Sequence, residues 1–138
     1  MKLEIKHIAP YLPYELKAKF QAKNKKTCRK YVIGTISVMY SDCSICCYDT
    51  VNATPDNFKP ILRPLSDLTK EIEIDGKRFV PKESIGLIHD ISGNNILNFR
   101  TGERIDVLCL PYFMVEKLFE WQFDVFGLID QNLALPLI

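Results

Sequence analysis

The stretch that decides the fold is Pro111-Tyr-Phe-Met-Val-Glu-Lys-Leu-Phe-Glu-Trp-Gln-Phe-Asp-Val-Phe-Gly-Leu-Ile129. It contains the only tryptophan of the chain and four of its eight phenylalanines. Apolar residues recur at helical spacing from Met114 to Ile129, and the proline at the start lacks only an N–H that the first turn of a helix leaves unpaired. The stretch therefore predicts one long amphipathic C-terminal helix over residues 111–131, with Trp121 mostly buried on its apolar face.

The predicted helix carries an acidic stripe and an unusually wide apolar arc. Glu116, Glu120 and Asp124 follow one another at four-residue spacing, which predicts a single solvated face. Phe119 and Phe123 lie at the edge of the apolar face. Because so wide an arc must be covered on more than one side, we expect a second surface to bury at least one of Phe119 and Phe123. That surface is either a strand pair of the same chain or a protein partner.

The part of the chain before this helix predicts antiparallel β-structure. Alternation after Glu15 and the β-branched run Tyr31–Tyr40 predict the first strands of a three-stranded meander over residues 15–51. Asp75-Gly76 is a sequence typical of a two-residue hairpin turn, here within a hairpin over residues 71–80. A further hairpin is predicted over residues 96–110.

The segment between the meander and the first hairpin is apolar but contains prolines. Pro60 and Pro64 interrupt the stretch Lys59–Leu68, and proline removes backbone donors. The sequence therefore predicts a core-packed connector there, with a short helix near residues 65–69.

These elements predict one α+β domain that spans residues 1–138. Its antiparallel, partly barrel-like sheet, with the hairpins, packs against the long C-terminal helix. The length of 138 residues fits one domain and allows a substantial core.

Composition excludes several classes of protein. The net charge is +1, so no strong overall field attracts nucleic acid or a membrane surface. No apolar run is long enough to cross a membrane, and the charged start of the chain lacks the apolar region of a secretory signal. The cysteine count of five is odd. We therefore expect a cytoplasmic protein with reduced thiols and no membrane association.

Candidate chemical motifs are weak. Cys43 and Cys46 have CxxC spacing, but in a strand their side chains would point to opposite faces. The only histidines are His7 and His89. His89, Asp90 and Ser92 are the residue types of a catalytic triad, but a triad assembles across the fold and rarely from residues adjacent in the chain. We therefore expect no catalytic residue, no metal site and no cofactor.

One local concentration of positive charge is present near the first predicted hairpin. Basic side chains flanked by aromatic residues on a β-meander are typical of single-strand nucleic-acid binders, while lysines at a hairpin tip also protect a sheet edge. The candidate nucleic-acid-binding residues are Lys17, Lys19, Lys23, Lys25, Lys26, Arg29 and Lys30.

Three segments carry a resemblance to known sequences. They are Ile8-Ala-Pro-Tyr-Leu-Pro-Tyr-Glu-Leu-Lys17, Lys59-Pro-Ile-Leu-Arg-Pro-Leu-Ser-Asp-Leu-Thr-Lys-Glu-Ile72 and Phe123-Asp-Val-Phe-Gly-Leu-Ile129. The chain resembles a family of small uncharacterised proteins encoded by gut Bacteroidales and by their phages and prophages. The resemblance carries no activity and no functional residue. It implies an intracellular accessory protein of a phage or another mobile element.

The sequence therefore favours a non-enzymatic accessory protein that binds a macromolecular partner. The expected partner is a protein of unknown identity, and Phe119 and Phe123 are the candidate interface. One alternative is a nucleic-acid-binding module that uses the basic residues 17–30. Another is a nucleotide-sequestering anti-defence protein or a small enzyme, and homo-oligomerisation stays open.

Overall fold

The computed structural model describes residues 3–22, 30–39, 45–47, 52–53 and 58–137. Three short α-helices, eleven strands and three 3₁₀ helices alternate along these residues. In chain order they are α1 (Ile5–Ile8), a 3₁₀ helix (Ala9–Tyr14), β1 (Lys17–Ala22), β2 (Lys30–Met39), β3 (Ile45–Cys47), β4 (Asn52–Ala53), β5 (Phe58–Leu62), a 3₁₀ helix (Leu65–Thr69), β6 (Ile72–Ile74), β7 (Lys77–Phe79), α2 (Pro81–Ile85), β8 (Asp90–Ser92), β9 (Asn95–Leu97), β10 (Arg104–Ile105), a 3₁₀ helix (Val107–Cys109), α3 (Tyr112–Glu120) and β11 (Leu135–Pro136).

The largest sheet has six strands in the order β11-β5-β1-β2-β3-β4. Strands β1 to β4 form an antiparallel meander, as the sequence predicts for this region. β5 returns to the free edge of β1, and β11 adds to β5 in the parallel direction. Because the strand order has two ends, the described sheet is open and does not form a closed barrel.

Two small antiparallel sheets complete the fold. β6 and β7 form the predicted hairpin across Asp75-Gly76, whose φ angles of 51° and 79° are both left-handed. This is the geometry of the two-residue turn that matches strand twist. β9 pairs with β10 as expected in the 96–110 region, and β8 adds a third strand.

The prediction of one long C-terminal helix over residues 111–131 is wrong. α3 covers only nine residues and ends at Trp121, after which Gln122 takes a left-handed φ of 62°. Phe123 then forms a parallel bridge with Arg63, and the chain continues in turns. The helix stops because the backbone after Trp121 pairs with a distant segment: the N–H of Arg63 donates to the carbonyl of Gln122 at 2.7 Å, and the N–H of Asp124 donates to the carbonyl of Arg63 at 2.9 Å.

The core consists of two hydrophobic clusters that meet at α3. One cluster lies beneath the six-stranded sheet, with Tyr11 and Leu128 among its members. The other gathers the hairpins, α2 and the inner face of α3, including Leu118 and Phe123. Phe119 is partly buried and packs against both clusters. The fold is therefore α+β, with short helices, and no described helix is long and apolar enough to span a membrane.

Candidate binding groove and aromatic face

An open groove of about 1020 Å³ lies beside the β6–β7 hairpin. Its walls come from β7, from the end of α3 and from the chain reversal at Tyr14 and Glu15. Arg63, which follows β5, also lines it. With Ser84 of α2, five separate parts of the sequence therefore meet at this groove.

Two aromatic rings form the apolar part of the groove. Phe79 and Trp121 have ring centroids 4.8 Å apart at an interplanar angle of 51°. Both side chains are partly buried. The ammonium of Lys117 lies 5.8 Å from the centroid of the Trp121 ring, a distance at which a cation is attracted to an aromatic face.

Arg63 brings a partly buried cation to the groove. Its Nε donates a hydrogen bond to the carbonyl oxygen of Trp121 at 3.3 Å. Burial lowers the pKa of the guanidinium, and the negative charge of Asp67 partly offsets that effect. Within the described residues no carboxylate lies within salt-bridge distance of this guanidinium. Arg63 is thus a cation without a direct anionic partner from this part of the chain.

The chain reversals at the groove are held by a side-chain hydrogen bond. Glu15 and Gln122 both take left-handed φ angles, 58° and 62°. The Nε2 of Gln122 donates to the carbonyl of Tyr14 at 2.6 Å, which ties the end of α3 to the end of the first 3₁₀ helix. This bond joins residues more than a hundred positions apart, so it fixes the two walls relative to each other.

The charges of the groove are mixed rather than of one sign. Four basic side chains line it, and so do three acidic ones. Lys117 pairs with Glu120 at 2.7 Å, and Arg78 approaches Glu73, outside the groove, at 3.7 Å. The groove therefore lacks the uniform positive field of a phosphate-binding site.

A second exposed feature, the aromatic face, lies at the start of α3. It consists of Leu108, Tyr112 and Phe113, whose exposed fractions are 53%, 80% and 58%. The Tyr112 hydroxyl hydrogen-bonds with Glu116, which raises the pKa of the tyrosine. Val115 and Leu118 are buried on the opposite side of the helix. α3 therefore has an apolar inner face and an outer face that presents two large aromatic rings to solvent.

Phe119 and Phe123, which the sequence predicts as an interface, do not belong to the aromatic face. Phe123 is fully buried inside the chain, and Phe119 is partly buried between the two core clusters. Strand and loop residues of the same chain cover Phe123, so it is a core residue with no surface to offer a partner. The exposed aromatic residues of α3 are instead Tyr112 and Phe113, which the helical pattern did not single out.

The three acidic residues predicted to share one solvated face differ in their exposure. Glu116 and Glu120 are exposed on α3, but Asp124 is fully buried. Its carboxylate accepts hydrogen bonds from the N–H groups of Leu128 and Ile129 at 2.7 and 2.9 Å. Asp124 therefore organises the turns after α3 instead of belonging to a solvated helix face.

The basic residues are described only in part. Lys17 and Lys19 are exposed on one face of β1 and alternate with the buried Leu16 and Ala18. Lys30 begins β2, which pairs with β1. Lys23, Lys25, Lys26 and Arg29 lie outside the described residues, so the nucleic-acid-binding site stays a prediction.

Candidate metal and redox chemistry finds little support in the described residues. No group of three or more His, Cys, Asp or Glu side chains is placed there to hold a metal ion. Cys43, the first cysteine of the CxxC spacing, lies outside the described residues, while Cys109 is free and exposed. His7 is buried, and its Nδ1 accepts the N–H of Glu4 at 3.0 Å, which gives it a structural role.

No family model, no curated protein and no solved structure matches this chain.

Proposed function

We propose that this chain is a non-enzymatic binding protein whose target is another protein. The observation that carries the proposal is the aromatic face: Leu108, Tyr112 and Phe113 are large apolar side chains, all more than half exposed, within six consecutive residues. Exposed apolar residues on a protein surface are usually scattered singly, and a concentration of them marks an interaction site.

The surroundings of the aromatic face also suit a protein interface. Glu116, Lys117 and Glu120 continue along the exposed side of α3 and provide a polar rim. Tyrosine and other aromatic side chains are enriched at the centres of protein interfaces, while charged groups surround them. The resemblance to proteins of Bacteroidales and their phages supports the further proposal of an intracellular accessory role for a mobile element.

The test compares capture of partners by two surface variants. Tagged wild-type protein is incubated with nuclease-treated lysate of a Bacteroidales host, and bound proteins are identified by mass spectrometry. We expect a partner that binds the wild type, is lost from Tyr112→Lys with Phe113→Lys, and still binds the matched control Lys17→Glu with Lys19→Glu. Sedimentation of the wild type alone tests whether a second copy covers the face. A partner retained equally by both variants would contradict the proposal.

The nucleic-acid alternative keeps one supporting observation. Lys17 and Lys19 are both exposed on the same side of β1. If the basic segment binds single strands, Lys23→Glu with Lys25→Glu and Lys26→Glu will abolish a weak, salt-dependent retention on single-stranded DNA. The nucleotide-sequestering alternative has less support, because Glu15, Asp75 and Glu120 bring negative charge into the groove.

A further inference from the structure

We infer that the groove receives an extended, acidic segment of the partner protein, which pairs with the backbone of Arg78 at the edge of β7 and places a carboxylate on Arg63. This inference rests on the proposed function, since it assigns a second contact to the same protein partner. It adds the conformation and the chemistry of the segment that is bound.

The edge of β7 that faces away from β6 borders the groove, and no described strand pairs with it. Lys77, Arg78 and Phe79 all line the groove. Consecutive strand residues point to opposite faces, so a groove that contacts all three must run along the strand edge. β7 pairs with β6 alone among the described strands.

The register identifies the backbone groups that this edge offers. Ile74 pairs with Lys77 across the two-residue turn, and Glu73 pairs with Arg78. In such a hairpin the pair that flanks the turn is hydrogen-bonded, and the next pair directs its N–H and C=O groups outward. Arg78 therefore presents one donor and one acceptor toward the groove, which is what an added strand requires.

The charge on Arg63 specifies an acidic ligand. Its guanidinium is partly buried at the groove and has no salt bridge within the described chain. A carboxylate from the bound segment would accept a charge-assisted hydrogen bond there, and Lys77 adds a second exposed cation on the same wall. Glu15 and Asp75 would repel a ligand with negative charge along its whole length, so one or two acidic residues fit better than a polyanion.

The aromatic pair supplies the apolar contact. Phe79 and Trp121 stand on the groove wall next to the β7 edge. An apolar side chain of the segment would pack against them, because strand addition gives affinity through the backbone and specificity through side-chain pockets. The expected ligand is thus an extended segment with one large apolar residue and one nearby Asp or Glu.

The test uses a library of random peptides selected on the full chain. We expect selected peptides to share an apolar residue and an acidic residue, and the synthetic form of one such peptide to protect the amide of Arg78 from hydrogen exchange. Methylating the peptide nitrogen that pairs with Arg78 should abolish binding, because it removes the donor of an added strand. Arg63→Gln should weaken binding about tenfold or more, while Arg63→Lys should retain part of it.

Controls separate this inference from the proposed function. Glu103→Gln changes an exposed carboxylate that does not line the groove, and it should leave peptide affinity unchanged. Peptides that bind regardless of methylation and of Arg63→Gln, but are lost from Tyr112→Lys with Phe113→Lys, would overturn the groove inference and leave the proposed function standing. A library that yields no binding peptide would overturn the groove inference too, and the lysate experiment would then decide the proposed function by itself.

Discussion

Asn94 donates a hydrogen bond from Nδ2 to the buried carboxylate of Asp124 at 3.0 Å. Its Oδ1 accepts the N–H of Leu65 at 2.8 Å. One side chain in the turn between β8 and β9 therefore connects the second 3₁₀ helix to the segment after α3. Because Asp124 also accepts the N–H groups of Leu128 and Ile129, this carboxylate holds three donors in the interior. The region that sequence periodicity assigns to a helix is thus held together by a polar network.

Replacing Asp124 with alanine should lower the free energy of unfolding by about 3 kcal/mol or more. The change leaves buried donors of Asn94, Leu128 and Ile129 without an acceptor, and hydrogen bonds to charged groups are among the more costly to lose. Glu120→Ala is the matched control, because Glu120 is exposed four residues earlier, and it should change stability by less than about 0.5 kcal/mol. Urea unfolding measures both. Equal effects would mean that Asp124 is solvated.

Local features of the fold follow well from the sequence. The β1–β2 pairing, the β6–β7 hairpin and the short helix at residues 65–69 depend on alternation and turn residues that lie close together in the chain. Because of Pro60, the sequence predicts a connector where the structure has strand β5. In β5, Pro60 pairs with Ala18 of β1, while β11 pairs only with Ile61 and Leu62.

Features that depend on distant partners could not be predicted. α3 ends where it does because Arg63 pairs with the backbone around Phe123, some sixty residues away in sequence. A largely apolar continuation satisfies helical spacing just as well as it satisfies a buried turn, so periodicity could not separate the two. The groove could not be predicted from the sequence either. Two of its residues were noticeable there: Phe79 follows a predicted hairpin turn, and Trp121 is the only tryptophan.

Gly76→Val should destabilise the protein by about 1 kcal/mol or more. The φ of Gly76 is 79°, and a β-branched residue is strained in that region. Open space surrounds the position where a Cβ would lie, so the cost comes from backbone strain rather than from a clash. Asp75→Asn is the control, because asparagine tolerates the left-handed φ of 51° at that position. Thermal unfolding of the two variants checks this, and identical melting temperatures would place the turn elsewhere.

Phe123→Ala should cost about 3–5 kcal/mol, the range for emptying a fully buried aromatic site. Phe113→Ala makes the same chemical change at a position that is 58% exposed, and it should cost less than about 0.5 kcal/mol. Chemical denaturation of both variants distinguishes core from surface along this segment. A large loss of stability at Phe113 would mean that the aromatic face is covered within the chain, and the proposed interface would have to be abandoned.

His7 should make the protein less stable in mildly acidic solution. Its ring is 2% exposed and lies edge-on to Phe126 at 5.4 Å. Burial lowers the pKa of His7, while Glu4 raises it and Lys6 lowers it further, with burial the largest effect. Below the ordinary value of about 6.5, the unfolded chain therefore binds a proton that the folded chain does not, and stability falls with pH from there down to the lowered pKa.

The measurement compares urea unfolding at pH 7.5 and at pH 5.5 for three proteins. Wild type should lose stability between the two conditions, and His7→Gln, which cannot titrate, should lose much less. His89→Gln removes the other histidine of the chain and is measured in the same way. Carboxylates that titrate in this range contribute equally to all three proteins, so the difference between variants isolates the imidazole. If the loss disappears with His89→Gln and persists with His7→Gln, the buried histidine is not the group that couples folding to pH.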